Sequence, residues 1–137
     1  MPNDADEPTG ERPLAGADAL PAVDRAVLAQ LAEDVGDEDF VRETVQVVLA
    51  ELPGRVGAIT AGARDGDPAA VRAGAHSLKS SAGMLGAVNM ARICRDIEAV
   101  ADPDDGVTDA AVQACGELAV EDDAVAAEFR GYLSETM

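Results

Sequence analysis

His76 is the only histidine of this 137-residue chain, and Lys79 is its only lysine. Neutral imidazole is a nucleophile, and its pKa near neutrality keeps that form available. Both residues stand in the stretch Val71–Ala87, VRAGAHSLKSSAGMLGA. Wound as a helix at about 100° per residue, this stretch gathers Val71, Ala75, Leu78, Ala82 and Leu85 into one apolar arc. His76 falls on the other side. Its neighbours there are Ala69, Arg72, Ala73, Lys79, Ser80 and Gly83, at the three- and four-residue spacings that share a helix face. The imidazole is therefore expected on a small-residue, locally basic surface that another molecule can reach. Taken singly, His76 also reads as an ordinary surface or core histidine, and Lys79 as an ordinary solvated cation.

The elements that must hold this face are helical. Asp24 can cap a short helix from Arg25 to about Asp34, with Val27, Leu28 and Leu31 on one face and Gly36 as its stop. Asp37 caps a longer helix with Glu38 and Asp39 in its first turn, where acids suit the macrodipole. Its apolar stripe runs Val41, Val45, Val48, Leu52, Val56, Ile59. Pro53 interrupts the hydrogen-bond ladder, so a kink is expected, with the helix resuming in phase. In the turn Arg64–Pro68, Gly66 stops one helix, Asp67 caps the next and Pro68 takes its first position. The His76 helix then runs to about Leu85 and ends at Gly86. Another starts near Val88 or Asn89 and shows Met90, Ile93, Cys94, Ile97 and Val100 at helical spacing.

Asp102-Pro103-Asp104-Asp105-Gly106 is a break. A last helix is expected from Thr108 to about Ser134, with Val112, Cys115, Leu118, Ala119, Val125, Ala126, Phe129 and Leu133 on its core face. Gly116 and the run Glu121-Asp122-Asp123 are places where it could be interrupted. No stretch alternates with period two long enough to propose a strand. The expectation is an all-α fold: an antiparallel four-helix bundle with a short additional N-terminal helix laid across one end. Residues 1–20, with Pro2, Pro8 and Pro13, read as a disordered acidic tail, and residues 21–137 as one bundle domain.

Composition removes several function classes. The formal net charge of −17 argues against a nucleic-acid backbone or an anionic membrane surface as partner. No apolar run approaches a membrane span, and the N-terminus lacks the regions of a secretion signal, so a cytoplasmic protein is expected. Cys94 and Cys115 have no metal-ligand spacing and read as buried reduced thiols. Neither a Gly-rich phosphate loop nor a nucleotide-binding signature is present, so no ATP binding and no autophosphorylation are expected.

His76-Ser77-Leu78-Lys79-Ser80-Ser81-Ala82-Gly83-Met84-Leu85-Gly86-Ala87 resembles the signature of histidine-containing phosphotransfer (HPt) domains. In that family a phosphorylated His is followed by Lys three residues on, usually Gly at the fourth, and a closing Leu-Gly pair. Asp24, the segment Asp37 to Phe40 and Glu51-Leu52-Pro53 also fit the family's layout, so the likeness spans about residues 21–137. Position 80 departs from it, with Ser where Gly is usual. Ser is still small enough to leave room beside the imidazole for an incoming phosphoryl-aspartate.

The resemblance implies a phosphorelay intermediate in two-component signalling. His76 would take a phosphoryl group from a receiver-domain aspartate or a histidine kinase and pass it on. The product brings a charge of about −2, which Lys79 can pair with and to which Arg72 can add. Glu98, on the following helix, is a candidate to hold the second ring nitrogen, and the family commonly places a Glu or Gln there; pairing with Arg95 is its alternative. Arg72, Ala73, Ser80 and Gly83 would meet the partner. Such a chain is a stoichiometric carrier, expected as a monomer without a bound cofactor or metal. Mg²⁺ would be supplied by the acidic site of the partner receiver. The rival reading is a non-catalytic acidic helical adaptor that binds a basic partner surface.

Overall fold

The structure, a computed structural model, describes residues 21–102 and 104–136. The tail expected over residues 1–20 lies outside them. Five helices follow in order: α1 (Arg25–Val35), α2 (Glu38–Arg64), α3 (Pro68–Met84), α4 (Val88–Val100) and α5 (Asp109–Glu135). Among the described residues there is no strand, only an isolated bridge between Asp102 and Gly106 in the α4–α5 turn. Four helices begin where a side-chain oxygen can accept from an otherwise unpaired backbone N–H. Asp24 accepts from Ala26, Asp37 from Phe40, Asp67 from Ala70 and Thr108 from Ala111. Gly36, Gly66 and Gly86 supply the left-handed backbone at the turns.

Helix α2 packs on α3, α3 on α4, α4 on α5, and α5 returns to α2, which closes the four-helix bundle. α1 lies across the end that holds the α3–α4 turn. There the Asp24 N–H donates to the Gly86 carbonyl at 2.8 Å. Arg25 continues to the far end of α5, donating to Glu135 at 2.8 Å and standing 5.6 Å over the Tyr132 ring. Gly86 answers two demands: its φ is +83°, and a Cβ there would lie 2.6 Å from the Asp24 carbonyl oxygen.

The expected stripe of α2 is buried at every position, and the helix passes through Pro53 as a single element. Between α2 and α3 the approach is close. A Cβ on Gly74 would sit 2.7 Å from Ile59, and one on Gly62 would sit 3.3 Å from Ala70 and Val71. These contacts fix the register of the two helices.

α5 corrects the sequence reading. It is unbroken through Gly116 and Glu121-Asp122-Asp123. Val112, expected in the core, is 53% exposed, and Ala119 is exposed as well. The buried set is Ala111, Cys115, Leu118, Val125, Phe129 and Tyr132. Those positions alternate four- and three-residue steps in a strict heptad phase, and Val112 and Ala119 each fall one residue, about 100°, past it. Asp122 occupies the position in that phase between Leu118 and Val125. Its Oδ1 is buried without a hydrogen-bond partner among the described residues. Burial, aided by the neighbouring Asp123, raises its carboxyl pKa.

Two substitutions test this packing by urea denaturation. Gly86→Ala is expected to lose about 2 kcal/mol or more, since it adds left-handed strain to a backbone clash. Asp122→Asn is expected to stabilise the fold at pH 7. A raised folded pKa means the ionised form opposes folding, so this gain should fade as the pH falls through the raised value and be gone below the ordinary carboxylate range.

Candidate functional site

The apolar arc of α3 decides where His76 points. Val71, Ala75, Leu78 and Ala82 are buried, so the imidazole is turned outward and its side chain is 68% exposed. The reversal at Gly86 then runs α4 back along α3. On α4, Cys94 and Ile97 face inward, and Glu98, one residue past Ile97, reaches the flank of α3.

Glu98 is the centre of the site. Its Oε2 lies 2.8 Å from His76 Nδ1 and its Oε1 lies 2.5 Å from Lys79 Nζ. These bonds are charge-assisted and sit at the edge of the core, with the carboxylate only 16% exposed. The hydrogen bond from Lys79 foremost, then that from His76, lowers the Glu98 carboxyl pKa below its ordinary value. An ionised carboxylate only accepts, so Nδ1 carries the ring proton. In the neutral ring the lone pair is then on Nε2. Of the two partners open to Glu98 from sequence, the structure chooses His76 over Arg95, and it adds Lys79.

Arg72, Ala73, Ser80 and Gly83 are all exposed around the imidazole. A Cβ on Gly83 would meet nothing within 4 Å. Met84 lies at the rim, 49% exposed. The sequence reading passes over Arg55, which reaches across from α2 and donates to Ser81 Oγ at 3.2 Å and Ser77 Oγ at 3.3 Å. Ser77 and Ser81, four residues apart on α3, are the signal that could have marked it, but only once the α2–α3 register is known.

Under the site, Cys94 is buried, and its thiol is pushed up to about 12 by that burial and then by the nearby Glu98 charge. Burial also raises Cys115. Among the described residues no group of His, Cys, Asp and Glu could hold a metal ion, and no helix is long and apolar enough to cross a membrane. Chemically, the arrangement presents an outward ring nitrogen with its tautomer fixed from behind.

Residues 43–133 match the Hpt domain family. Among solved structures, histidine-containing phosphotransfer protein B (HptB) from Pseudomonas aeruginosa PAO1 is 27% identical with a TM-score of 0.74, over 84% of this chain and 96% of that one. The HPT domain of the Hpt sensor hybrid histidine kinase from Shewanella is 21% identical with a TM-score of 0.71, over 83% of this chain and 95% of that one. Comparison with curated proteins gave no match.

Two measurements test the geometry of the site. At pH 8 a thiol reagent should label neither cysteine of the native protein, and both after denaturation. Glu98→Gln should melt below the wild type at pH 7. Because the folded pKa of Glu98 is lowered, its contribution is present above the ordinary carboxylate range. The difference in melting temperature should therefore vanish as the pH falls through the lowered value.

Proposed function

This chain belongs to the Hpt domain family, and from that membership we propose that its part in phosphotransfer is to carry the phosphoryl group on Nε2 of His76. The observation that supports this atom is the Glu98 bond to Nδ1, which leaves Nε2 as the ring nitrogen with a free lone pair. In the forward step that lone pair forms the N–P bond. The bond from phosphorus to the donor's aspartate oxygen breaks, and its electron pair leaves with the carboxylate. The imidazole gains positive charge as it loses the lone pair, and Glu98 offsets that charge across the retained Nδ1–H. Lys79 serves the phosphoryl oxygens only in part, since Glu98 already shares its charge.

Arg72, Ala73, Ser80 and Gly83 form the floor on which a receiver domain or a histidine kinase would settle, and Ser80 takes the place of the usual Gly without obstructing it. Mg²⁺ enters with the receiver's acidic site. The chain turns over nothing by itself: one phosphoryl group is held per molecule until an acceptor aspartate takes it.

Mixing the protein with a phosphorylated receiver domain and Mg²⁺ tests the proposal. Acid-labile, base-stable label is expected on the wild type, and none on His76→Gln, whose melting temperature should be unchanged because the ring faces solvent. Lys79→Ala should slow labelling about tenfold, a barrier increase of about 1.4 kcal/mol. A His76→Gln protein that keeps full signalling activity in the cell would instead favour the adaptor.

A further inference from the structure

We propose that Arg55 is a docking and specificity residue: it orients an acidic receiver-domain face over His76 and takes no part in the transfer of the phosphoryl group. This inference rests on the phosphotransfer reading for the identity of the partner.

Three features of the structure support it. First, Arg55 crosses the seam between α2 and α3 and is clamped there by two hydroxyls of the His76 helix, Ser77 and Ser81. A planar guanidinium held at two points is ordered before any partner arrives, so little side-chain entropy remains to be lost on docking.

Second, its charge is differently placed from that of Lys79. The ammonium of Lys79 is matched by Glu98 at 2.5 Å. Arg55 makes its hydrogen bonds to neutral hydroxyls, and its ion pair with Glu51, one turn back on α2, is looser at 3.8 Å. The chain as a whole carries −17, so an acidic partner is repelled at long range and needs local cations for a productive approach. Arg55 supplies one on the α2 side of His76, and Arg72 supplies another on α3.

Third, the surface beside the clamp is kept low. Gly54 precedes Arg55 on the exposed side of α2, and Gly83 lies on the exposed side of α3. A Cβ on either would meet nothing within 4 Å, and neither has a positive φ. Each is a less favourable helix former than Ala. Nothing inside the chain requires them, whereas a body approaching closely from outside does.

The occupant is the face of a receiver domain around its phosphorylatable aspartate, where clustered carboxylates complement the two arginines. The probes are receiver domains of the same genome, as a panel, each loaded with beryllofluoride to mimic the phospho-aspartate. Affinity is measured for the wild type, Arg55→Gln, Arg55→Lys and the double variant Ser77→Ala/Ser81→Ala, alongside single-turnover transfer from the phosphorylated form, in which kcat is the saturating rate constant and KM the receiver concentration at half that rate.

Arg55→Gln should weaken binding about five- to tenfold and raise KM to match, with kcat within about twofold. Arg55→Lys should restore binding only in part, because an ammonium keeps the charge but does not bridge two hydroxyls as a guanidinium fork does. The double serine variant should lie between, since the charge persists without its clamp. Melting temperatures of all four should stay within about 2 °C. Unchanged affinity in Arg55→Gln overturns the proposal, as does a fall in kcat at constant KM. Failure of every receiver to bind the wild type overturns it too. Receivers that bind the wild type without transferring label would remove the relay reading alone, and the affinity of Arg55→Gln would still decide the role of Arg55.

Discussion

Helix α3 is wedged between α2 and α4 by residues too small to hold them apart. Gly74 lets Ile59 approach to where a Cβ would stand, while Ala75 and Ala82 bury completely or nearly so beside Leu78. A helix gripped this closely on its apolar arc cannot rotate without opening voids or driving side chains into backbone. The remaining arc is thereby fixed toward solvent, and His76, Lys79 and Ser80 go with it. The exposure of the imidazole follows from core packing more than from any property of histidine. No charged or polar residue is fully buried among the described ones, so the core makes this decision by shape alone.

On that fixed face one carboxylate does two things. Glu98 accepts from Nδ1 of the ring with one oxygen and meets the Lys79 ammonium with the other. In a chain with an excess of acids this is an economical use of one more, since a single shielded carboxylate is matched by two cationic or proton-bearing partners. The same sharing limits what Lys79 offers to an incoming group. That is why the neutral clamp on Arg55 matters to the electrostatics of the surface, whatever occupies it.

The glycines divide by cause. Gly62, Gly74 and Gly86 are demanded from within, by close helix approach or by a left-handed turn meeting the Asp24 carbonyl. Gly54 and Gly83 are demanded by nothing inside the chain. Both kinds look alike in the sequence, because a missing side chain does not say which neighbour required its absence.

The sequence by itself determined the five helices, their caps at Asp24, Asp37 and Asp67, and the outward phase of His76, because these depend on local hydrogen bonding and the helical period. It narrowed Glu98 to two partners but could not choose, since Arg95 is one turn back on the same helix whereas His76 is within reach only if α3 lies alongside α4. Tertiary structure made that choice through the Gly86 reversal, and it placed Arg55 on Ser77 and Ser81 through the α2–α3 register. It also settled α5, where Val112 and Ala119 are as apolar as residues the core accepts yet miss the heptad phase that the neighbouring helices impose. Local periods are written in the order of residues, whereas contacts between helices depend on how closely whole surfaces can approach.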